Sequence, residues 1–257
     1  MRDFYERFYT LAPTSPAHSE FCQRVFGADL CQHGFVDMDQ LNRLIDMADI
    51  RGGQHVLDIG CGVGMIAEYI SDVTGAHVTG LDYISVAIET ARQRTASKSG
   101  RLQFMVGDIN TLHLAPHSFD FVLSLDSIYF SNDYPCTIRK LADALKFGGR
   151  LAFYYGHGRE PWIPIEEFDA ATLAPDCTPL AQALVANGIP FEAHEFTEAD
   201  YRLAKRRQAV LTELRPMFET EGTLFIYENR MGDAMCMADA MERGLHRRHL
   251  YLCGPMG

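Results

Sequence analysis

The stretch Val56-Leu57-Asp58-Ile59-Gly60-Cys61-Gly62-Val63-Gly64 decides the fold of this 257-residue chain. The apolar run from His55 to Ile59 predicts a short buried strand. The three glycines that follow predict a turn that lets the backbone approach a ligand closely, because residues without Cβ take positive φ without a clash. Apolar residues then recur at helical spacing from Ile66 to Val73. The segment predicts a strand, a glycine turn and a helix whose N-terminus offers free N–H groups.

The same alternation of strands and helices continues on both sides of this segment. An amphipathic helix is predicted before it, within residues 36–50. Further strands are predicted at residues 76–81, 102–106, 119–125 and 150–155, with helices at 85–96 and 135–145. Alternation of this kind with continuous apolar strands predicts a parallel sheet that is covered on both faces.

After residue 156 the pattern changes. Prolines at 161, 164, 175 and 179 predict a loop over residues 157–179. A short helix at 180–186, a strand at 191–196, helices within 198–245 and a last strand at 249–253 are predicted to follow. We therefore expect one domain over residues 1–257, with a helical cap at 1–50, a core at 51–156, an elaboration at 157–248 and the final strand.

Composition excludes several classes of protein. Lys and Arg number 23 against 34 Asp and Glu, and the net charge of −11 opposes the phosphate neutralisation that supplies most affinity for nucleic acid. The seven cysteines form no CxxC pair and are odd in number, which favours reduced thiols in the cytoplasm. No apolar run is long enough to cross a membrane.

No metal site is predicted, because His113 and His117 lack a carboxylate at ligand spacing. The sequence also gives no indication of the oligomeric state.

Polar residues at the predicted strand ends indicate a nucleoside ligand. Met65 stands where the dinucleotide fingerprint requires its third glycine, which counts against a nicotinamide cofactor. Asp82 ends the second strand, where a carboxylate can accept both hydroxyls of a ribose. Asp108 follows the third strand and can accept from the amine of an adenine while Ile109 packs on its ring.

Five segments in this order, VLDIGCGVG, VTGLDY, VGDIN, FDFVLSLDSIYF and LKFGGRLAFYY, resemble motifs of the class I S-adenosylmethionine-dependent methyltransferases. The resemblance covers residues 36–156 strongly. It implies an α/β, Rossmann-like sheet of seven strands, six parallel and the last antiparallel, with helices on both faces. The N-terminal helical segment and a late helical lid would be added to this core. S-adenosyl-L-methionine would be the cofactor and S-adenosyl-L-homocysteine the product.

The resemblance also assigns cofactor-binding residues. Asp58 would orient the turn and meet the ammonium of the cofactor, and the Leu125 carbonyl would meet the same group. Tyr9 would close over the cofactor carboxylate, with helical packing on the core as the alternative. The residues implied for the methionine, ribose and adenine parts are Gly60, Gly62, Asp82, Tyr83, Asp108 and Ile109.

The methyl acceptor is predicted to be a small molecule, because enzymes of that type place substrate with an N-terminal helical segment and a late insertion. The segment Gln32-His33-Gly34-Phe35 resembles a His-Gly-aromatic motif of some small-molecule methyltransferases. His157, Tyr129 and His33 could face the mouth of the pocket, where a histidine would suit a base near neutral pH. Aromatic and methionine side chains of the late helices could line an apolar pocket or simply form core: Tyr201, Met217, Phe218, Phe225, Tyr227, Met231, Met235 and Met237.

Two alternatives stay open on the sequence alone. One is a protein or nucleic-acid methyltransferase, although Asp126-Ser127-Ile128-Tyr129 differs from the Asn/Asp-Pro-Pro-Tyr motif of enzymes that methylate exocyclic amines of DNA, and the net charge disfavours nucleic acid. The other is a module that binds S-adenosylmethionine without methylating, or that transfers another alkyl group.

Overall fold

The computed structural model describes residues 1–160 and 162–256, so Pro161 of the predicted loop and Gly257 lie outside the described residues. Within them the chain forms a seven-stranded sheet in the order β3-β2-β1-β4-β5-β7-β6. The strands are β1 (His55–Ile59), β2 (His77–Asp82), β3 (Leu102–Val106), β4 (Phe119–Leu125), β5 (Leu145–Gly158), β6 (Phe191–Glu195) and β7 (His246–Cys253). Only β7 runs against its neighbours, which confirms the predicted fold class.

The strand order places a crevice beside β1. From β1 the chain moves outward through β2 and β3 and then returns to β4 on the other side of β1. In open α/β sheets a ligand binds at such a reversal, beyond the carboxyl ends of the strands. The glycine turn follows β1 at this point.

Helices cover both faces of the sheet, as predicted. They are α1 (Arg2–Leu11), α2 (Pro16–Phe26), α3 (Met38–Ala48), α4 (Met65–Thr74), α5 (Ser85–Arg94), α6 (Tyr134–Asp143), α7 (Pro179–Ala186), α8 (Thr197–Glu221) and α9 (Leu224–Glu242). Successive residues of a strand point to opposite faces, and accordingly Val56 packs with α3, α4 and α5 while Leu57 packs with α6 and α7. Each face therefore has its own apolar core.

Helix ends follow from local sequence. The side chains of Ser15, Asp133 and Thr178 accept backbone N–H groups at the starts of α2, α6 and α7, and a proline lies in the first turn of each of these helices. Gly222 ends α8 in a left-handed conformation, with φ of 71°. The predicted helical stretch of residues 198–245 is consequently two helices.

Two strands are longer than the sequence pattern indicates. Gly148-Gly149, expected to end a helix, lies inside β5, where the register against β4 shifts between Phe119 and Phe121. Because Gly148 has φ of 77°, the pair forms an irregularity in the strand that periodicity does not anticipate. Likewise β7 begins at His246 rather than 249 and pairs with β5 as far as Gly158.

The late helices α8 and α9 pack on the N-terminal helices. Their buried side chains, among them Leu211, Phe218 and Ile226, share one apolar cluster with Phe8 of α1 and Phe21 of α2. The cap and the late helices thus form one layer beside the glycine turn. None of the helices in residues 1–160 and 162–256 combines the length and apolar character needed to cross a membrane.

Candidate active site

A cavity of about 350 Å³ opens at the carboxyl ends of the central strands. This volume falls in the range of sites for small molecules. Its walls come from the glycine turn, from the ends of β2, β3 and β4, from α1, and from the segment of residues 30–36. The cavity therefore lies where the strand order predicts a ligand.

At the two glycines of the turn that line the cavity, there is no room for a side chain. Gly60 and Gly62 have φ of 76° and 54°. A Cβ on Gly60 would lie 2.4 Å from Ser127 Cβ, and a Cβ on Gly62 would lie 2.8 Å from Tyr9 Oη. The turn is thus pressed against the loop after β4 on one side and against α1 on the other, and its backbone lines the cavity between them.

Asp82 holds this turn in place. Its two carboxylate oxygens accept from Gly62 N at 2.8 Å and from Ile84 N at 2.9 Å. Burial raises the pKa of Asp82, although those N–H groups oppose the shift. Each oxygen retains a further lone pair, and Asp82 lines the cavity, so the carboxylate can still accept from the hydroxyls of a ribose.

Asp58 is the one predicted cofactor residue that is absent from the cavity lining in the described part of the chain. Its side chain is 3% exposed at the end of β1. Burial, reinforced by the charge of Asp82, raises the pKa of Asp58 to about 7. A cation close to Asp58 and Asp82 would offset both the burial of Asp58 and the repulsion from the charge of Asp82. An ammonium group is a cation of this kind.

The remaining predicted cofactor residues surround the cavity: Gly60, Gly62, Tyr9, Asp82, Tyr83, Asp108, Ile109 and Leu125. Arg2 of α1 lies over the Tyr83 ring, 4.9 Å from its centroid. Asp108 accepts from the Asn110 backbone and side chain at 2.8 and 3.0 Å, which orients its carboxylate at the cavity wall. These predicted residues therefore come together at one edge of the sheet.

Of the three predicted catalytic residues, His33 lines the cavity, and its ring lies 4.9 Å from that of Tyr5. Tyr129 and His157 are not among the described lining residues. The Tyr129 hydroxyl accepts from Gly156 N at 2.6 Å, and burial raises its pKa. His157 Nε2 contacts Thr172 Oγ1 at 3.1 Å, and burial lowers the pKa of the imidazole. The structure brings one of the three to the cavity, and the other two lie outside its described lining.

Asp126 is a cavity residue that the sequence analysis did not assign. It follows β4 directly and has φ of 57°, a strained value for a residue with Cβ. Its Oδ2 accepts from Phe35 N at 2.8 Å, and a Cβ on Gly34 would lie only 2.5 Å from that oxygen. Asp126, like Asp82, is a carboxylate at the end of a parallel strand, and this position is the sequence signal that could have identified it.

A buried arginine fixes Asp126. Arg248 of β7 donates to Asp126 at 2.9 Å and to Asp200 at 2.9 Å, and Gln40 donates to Asp200 at 2.6 Å. The Arg248 and Asp200 side chains are at most 2% exposed. The neighbouring carboxylates raise the pKa of Arg248 despite its burial. This ion network ties the cavity wall to β7 and α8.

The late helices do not roof the cavity, in contrast to the expected lid. No residue of α8 or α9 is among its described lining residues, and Phe218 is core. Met217 and Met235 are exposed to solvent. The other named side chains pack against the cluster of α1 and α2: Tyr201, Phe225, Tyr227, Met231 and Met237. Residues of α1 and of the segment 30–36 line the cavity instead.

Comparison with known proteins agrees with the fold and with the glycine-turn core. Residues 56–149 match a family model described as a methyltransferase domain. Phosphoethanolamine N-methyltransferase 1 of Triticum aestivum is 32% identical over 148 residues, which are 58% of this chain and 29% of that relative. The chain therefore spans less than a third of the length of the plant relative it matches.

Two solved structures show the same architecture. Haemonchus contortus phosphoethanolamine N-methyltransferase 2, in complex with phosphomonomethylethanolamine and S-adenosylhomocysteine, matches with a TM-score of 0.79 at 16% identity, over 98% of this chain and 60% of that one. The cyclase SpnF matches with a TM-score of 0.67 at 18% identity, over 85% of this chain and 82% of that one. The recognition of a class I S-adenosylmethionine-dependent methyltransferase fold is confirmed.

Proposed function

We propose that this chain, built on a class I S-adenosylmethionine-dependent methyltransferase core, moves a methyl group from S-adenosylmethionine to a small-molecule acceptor. One observation carries the proposal. A single cavity combines the glycine turn and the strand-end carboxylates Asp82 and Asp108 with a second, partly aromatic end at Tyr5 and His33. Cofactor and acceptor can thus meet inside one cavity.

The residues present fit the cofactor. Asp82 would hold the ribose and Asp108 with Ile109 the adenine, while Gly60 and Gly62 would lie along the methionine part. Asp58, whose raised pKa reflects an environment short of positive charge, would favour the ammonium. When bound, the cofactor supplies an electrophilic methyl group on a sulfonium.

The side chains at the acceptor end of the cavity would hold the acceptor in a fixed position. Tyr5 packs against His33 at 4.9 Å and against Phe130 at 5.7 Å between ring centroids, and Asp126 completes the wall. Holding a lone pair in line with the methyl group supplies much of the acceleration of such a displacement. We propose His33 as the predicted residue that meets the acceptor. Tyr129 would act through Asp126, whose Oδ1 lies 3.4 Å from its hydroxyl.

A small metabolite suits this site better than a polymer. The helix α1 contributes Arg2, Tyr5 and Tyr9 to the cavity wall, so the acceptor would bind in a concave pocket and not on a flat surface. The net charge of −11 also disfavours nucleic acid. Because the plant and nematode relatives are named for phosphoethanolamine, an amine is the first acceptor class to test. We place the reaction in the cytoplasm, in keeping with seven unpaired cysteines in the described residues.

Calorimetric titration with S-adenosylhomocysteine tests the cofactor half of the proposal. The unmodified protein is expected to bind, and Asp82→Ala to bind at least about tenfold more weakly, because the ribose loses its acceptor and the turn loses its anchor. Asp46→Ala, at an exposed aspartate of α3, is the matched control and should bind normally. Equal affinities in all three proteins would contradict the assignment of Asp82.

A further inference from the structure

His33 is held on one edge by a buried arginine. Arg230 of α9 donates from Nη1 to the His33 carbonyl at 2.5 Å and from Nη2 to His33 Nε2 at 2.6 Å. A guanidinium has only donors and keeps its charge in proteins. Nε2 must therefore offer a lone pair, and the proton of the imidazole is on Nδ1.

The surroundings oppose a second proton on this ring. Arg230 is fully buried, and so is Arg207 of α8, whose guanidinium lies 4.1 Å from the Phe35 ring centroid. Among the described residues no group hydrogen-bonds the Arg207 guanidinium, and Asp233 lies 3.9 Å from it and 3.1 Å from Arg230. Two buried cations thus share one carboxylate beside His33.

Near His33 in the chain, Asp126 Oδ2 accepts from Phe35 N at 2.8 Å, but Arg248 already pairs with this carboxylate. His18 of α2 contributes a further imidazole, and Tyr5 of α1 a phenol whose pKa burial raises to about 12. Burial, Arg230, Arg207 and His18 all lower the pKa of His33, which lies well below its ordinary value. The ring is neutral throughout the physiological range.

The Nδ1 atom is the remaining polar atom of the His33 ring. His33 is a lining residue, whereas Arg230 is fully buried and is not among the described lining residues. Since Nε2 points to Arg230, Nδ1 is the ring nitrogen left to meet a ligand. A protonated Nδ1 can donate but cannot accept a proton.

We propose that Arg230 locks His33 as the neutral Nδ1–H tautomer, which donates a hydrogen bond to an oxygen atom of the methyl acceptor instead of serving as the base. The acceptor then carries an oxygen close to the atom that is methylated, and Arg230 is a positioning residue. The ligand part rests on the proposed function. The tautomer does not, because it follows from contacts within the chain.

Nitrogen-15 NMR of the histidine rings tests the tautomer directly. Long-range proton–nitrogen spectra of the labelled full-length protein would be recorded from about pH 5 to about pH 8, the window in which an ordinary histidine titrates. His33 is assigned by its loss in His33→Asn. We expect a protonated Nδ1, an unprotonated Nε2 and no titration. A midpoint near 6.5, or a proton on Nε2, would overturn the proposal.

Arg230→Met tests whether Arg230 fixes the tautomer, with Arg243→Met as control because Arg243 directly follows the same helix and forms an exposed pair with Asp239. The His33 ring should populate both the Nδ1–H and the Nε2–H tautomers in the first variant and stay Nδ1–H in the second; an unchanged Nδ1–H tautomer in both variants would refute the role of Arg230. If Arg230→Met does not fold, the spectrum of the unmodified protein still decides the tautomer.

The turnover of His33 variants then tests whether the ring acts as a hydrogen-bond donor. His33→Asn, which retains an N–H donor, should keep more turnover than His33→Leu, by about fivefold to tenfold, and the pH profile should show no limb from His33. Equal loss in both variants would contradict the donor role. If no methyl transfer occurs in the unmodified protein, the proposed function fails while the NMR result stands on its own.

Discussion

Replacing Gly60 by alanine tests whether the glycine turn is built as described. At φ of 76° the backbone is left-handed, which costs a residue with Cβ roughly 1–2 kcal/mol. The new Cβ would also lie 2.4 Å from Ser127 Cβ. Ser127 cannot turn away freely, because its hydroxyl donates to the Ile59 carbonyl at 2.5 Å and contacts Ser124 Oγ at 2.7 Å. Disrupting those buried contacts adds about 1–2 kcal/mol.

Gly53→Ala is the matched control. Gly53 has φ of 82°, and a Cβ there would meet nothing within 4 Å, so only the backbone cost of roughly 1–2 kcal/mol applies. We expect Gly60→Ala to lose about 3 kcal/mol of unfolding free energy, as the sum of the two contributions. The extra loss over Gly53→Ala is then about 1–2 kcal/mol.

Urea unfolding of the ligand-free proteins measures the stability difference, and calorimetric titration with S-adenosylhomocysteine measures the effect on the site. Because the displaced turn lines the cavity, Gly60→Ala should also bind at least about tenfold more weakly, a cost of 1.4 kcal/mol, while Gly53→Ala binds normally. Two variants with equal stability and equal affinity would refute the close contact between the turn and Ser127.

Three further predictions concern ionisable side chains. Arg248→Met leaves the buried Asp200 and the partly buried Asp126 without their cation and should cost about 3–5 kcal/mol, whereas Arg247→Met, in a half-exposed pair, should cost at most about 1 kcal/mol; thermal unfolding compares them. Burial raises the pKa of Asp58 from 3.8 to about 7, so its charge destabilises the ligand-free fold increasingly as pH rises through that interval. Asp58→Asn should therefore be more stable than the unmodified protein at about pH 8, with no advantage near pH 4, and urea unfolding at both pH values checks this sign. His157→Ala should leave the affinity for S-adenosylhomocysteine unchanged, since His157, predicted as catalytic, is not among the described residues that line the cavity; a clear loss by calorimetry would instead indicate that His157 contributes to the cofactor site.

Local sequence was sufficient to predict that the residues proposed for the cofactor lie together. The glycine turn, Asp82 and Asp108 stand at strand ends, and parallel strands bring their carboxyl ends to one edge of the sheet. Spacing along the chain therefore translates directly into proximity. The helices α3 to α7 follow in the same way from periodicity and from caps such as Asp133.

The acceptor half depends on contacts between distant segments. His33 meets Arg230 of α9, 197 residues further on, and Asp126 meets Arg248 across 122 residues. No local pattern pairs these side chains. Helical periodicity likewise shows that α8 and α9 have an apolar face without showing what covers it, and the structure places that face against α1 and α2 instead of over the cavity.

Transfer of a labelled methyl group tests the central claim most directly. The protein would be incubated with methyl-labelled S-adenosylmethionine and a cell extract separated into small-metabolite, protein and nucleic-acid fractions, with Asp82→Ala as the control. We predict that label enters the small-metabolite fraction and that the variant transfers far less, after which mass spectrometry identifies the acceptor. Label confined to protein or nucleic acid, or no transfer at all despite tight binding of S-adenosylhomocysteine, would contradict the proposed function.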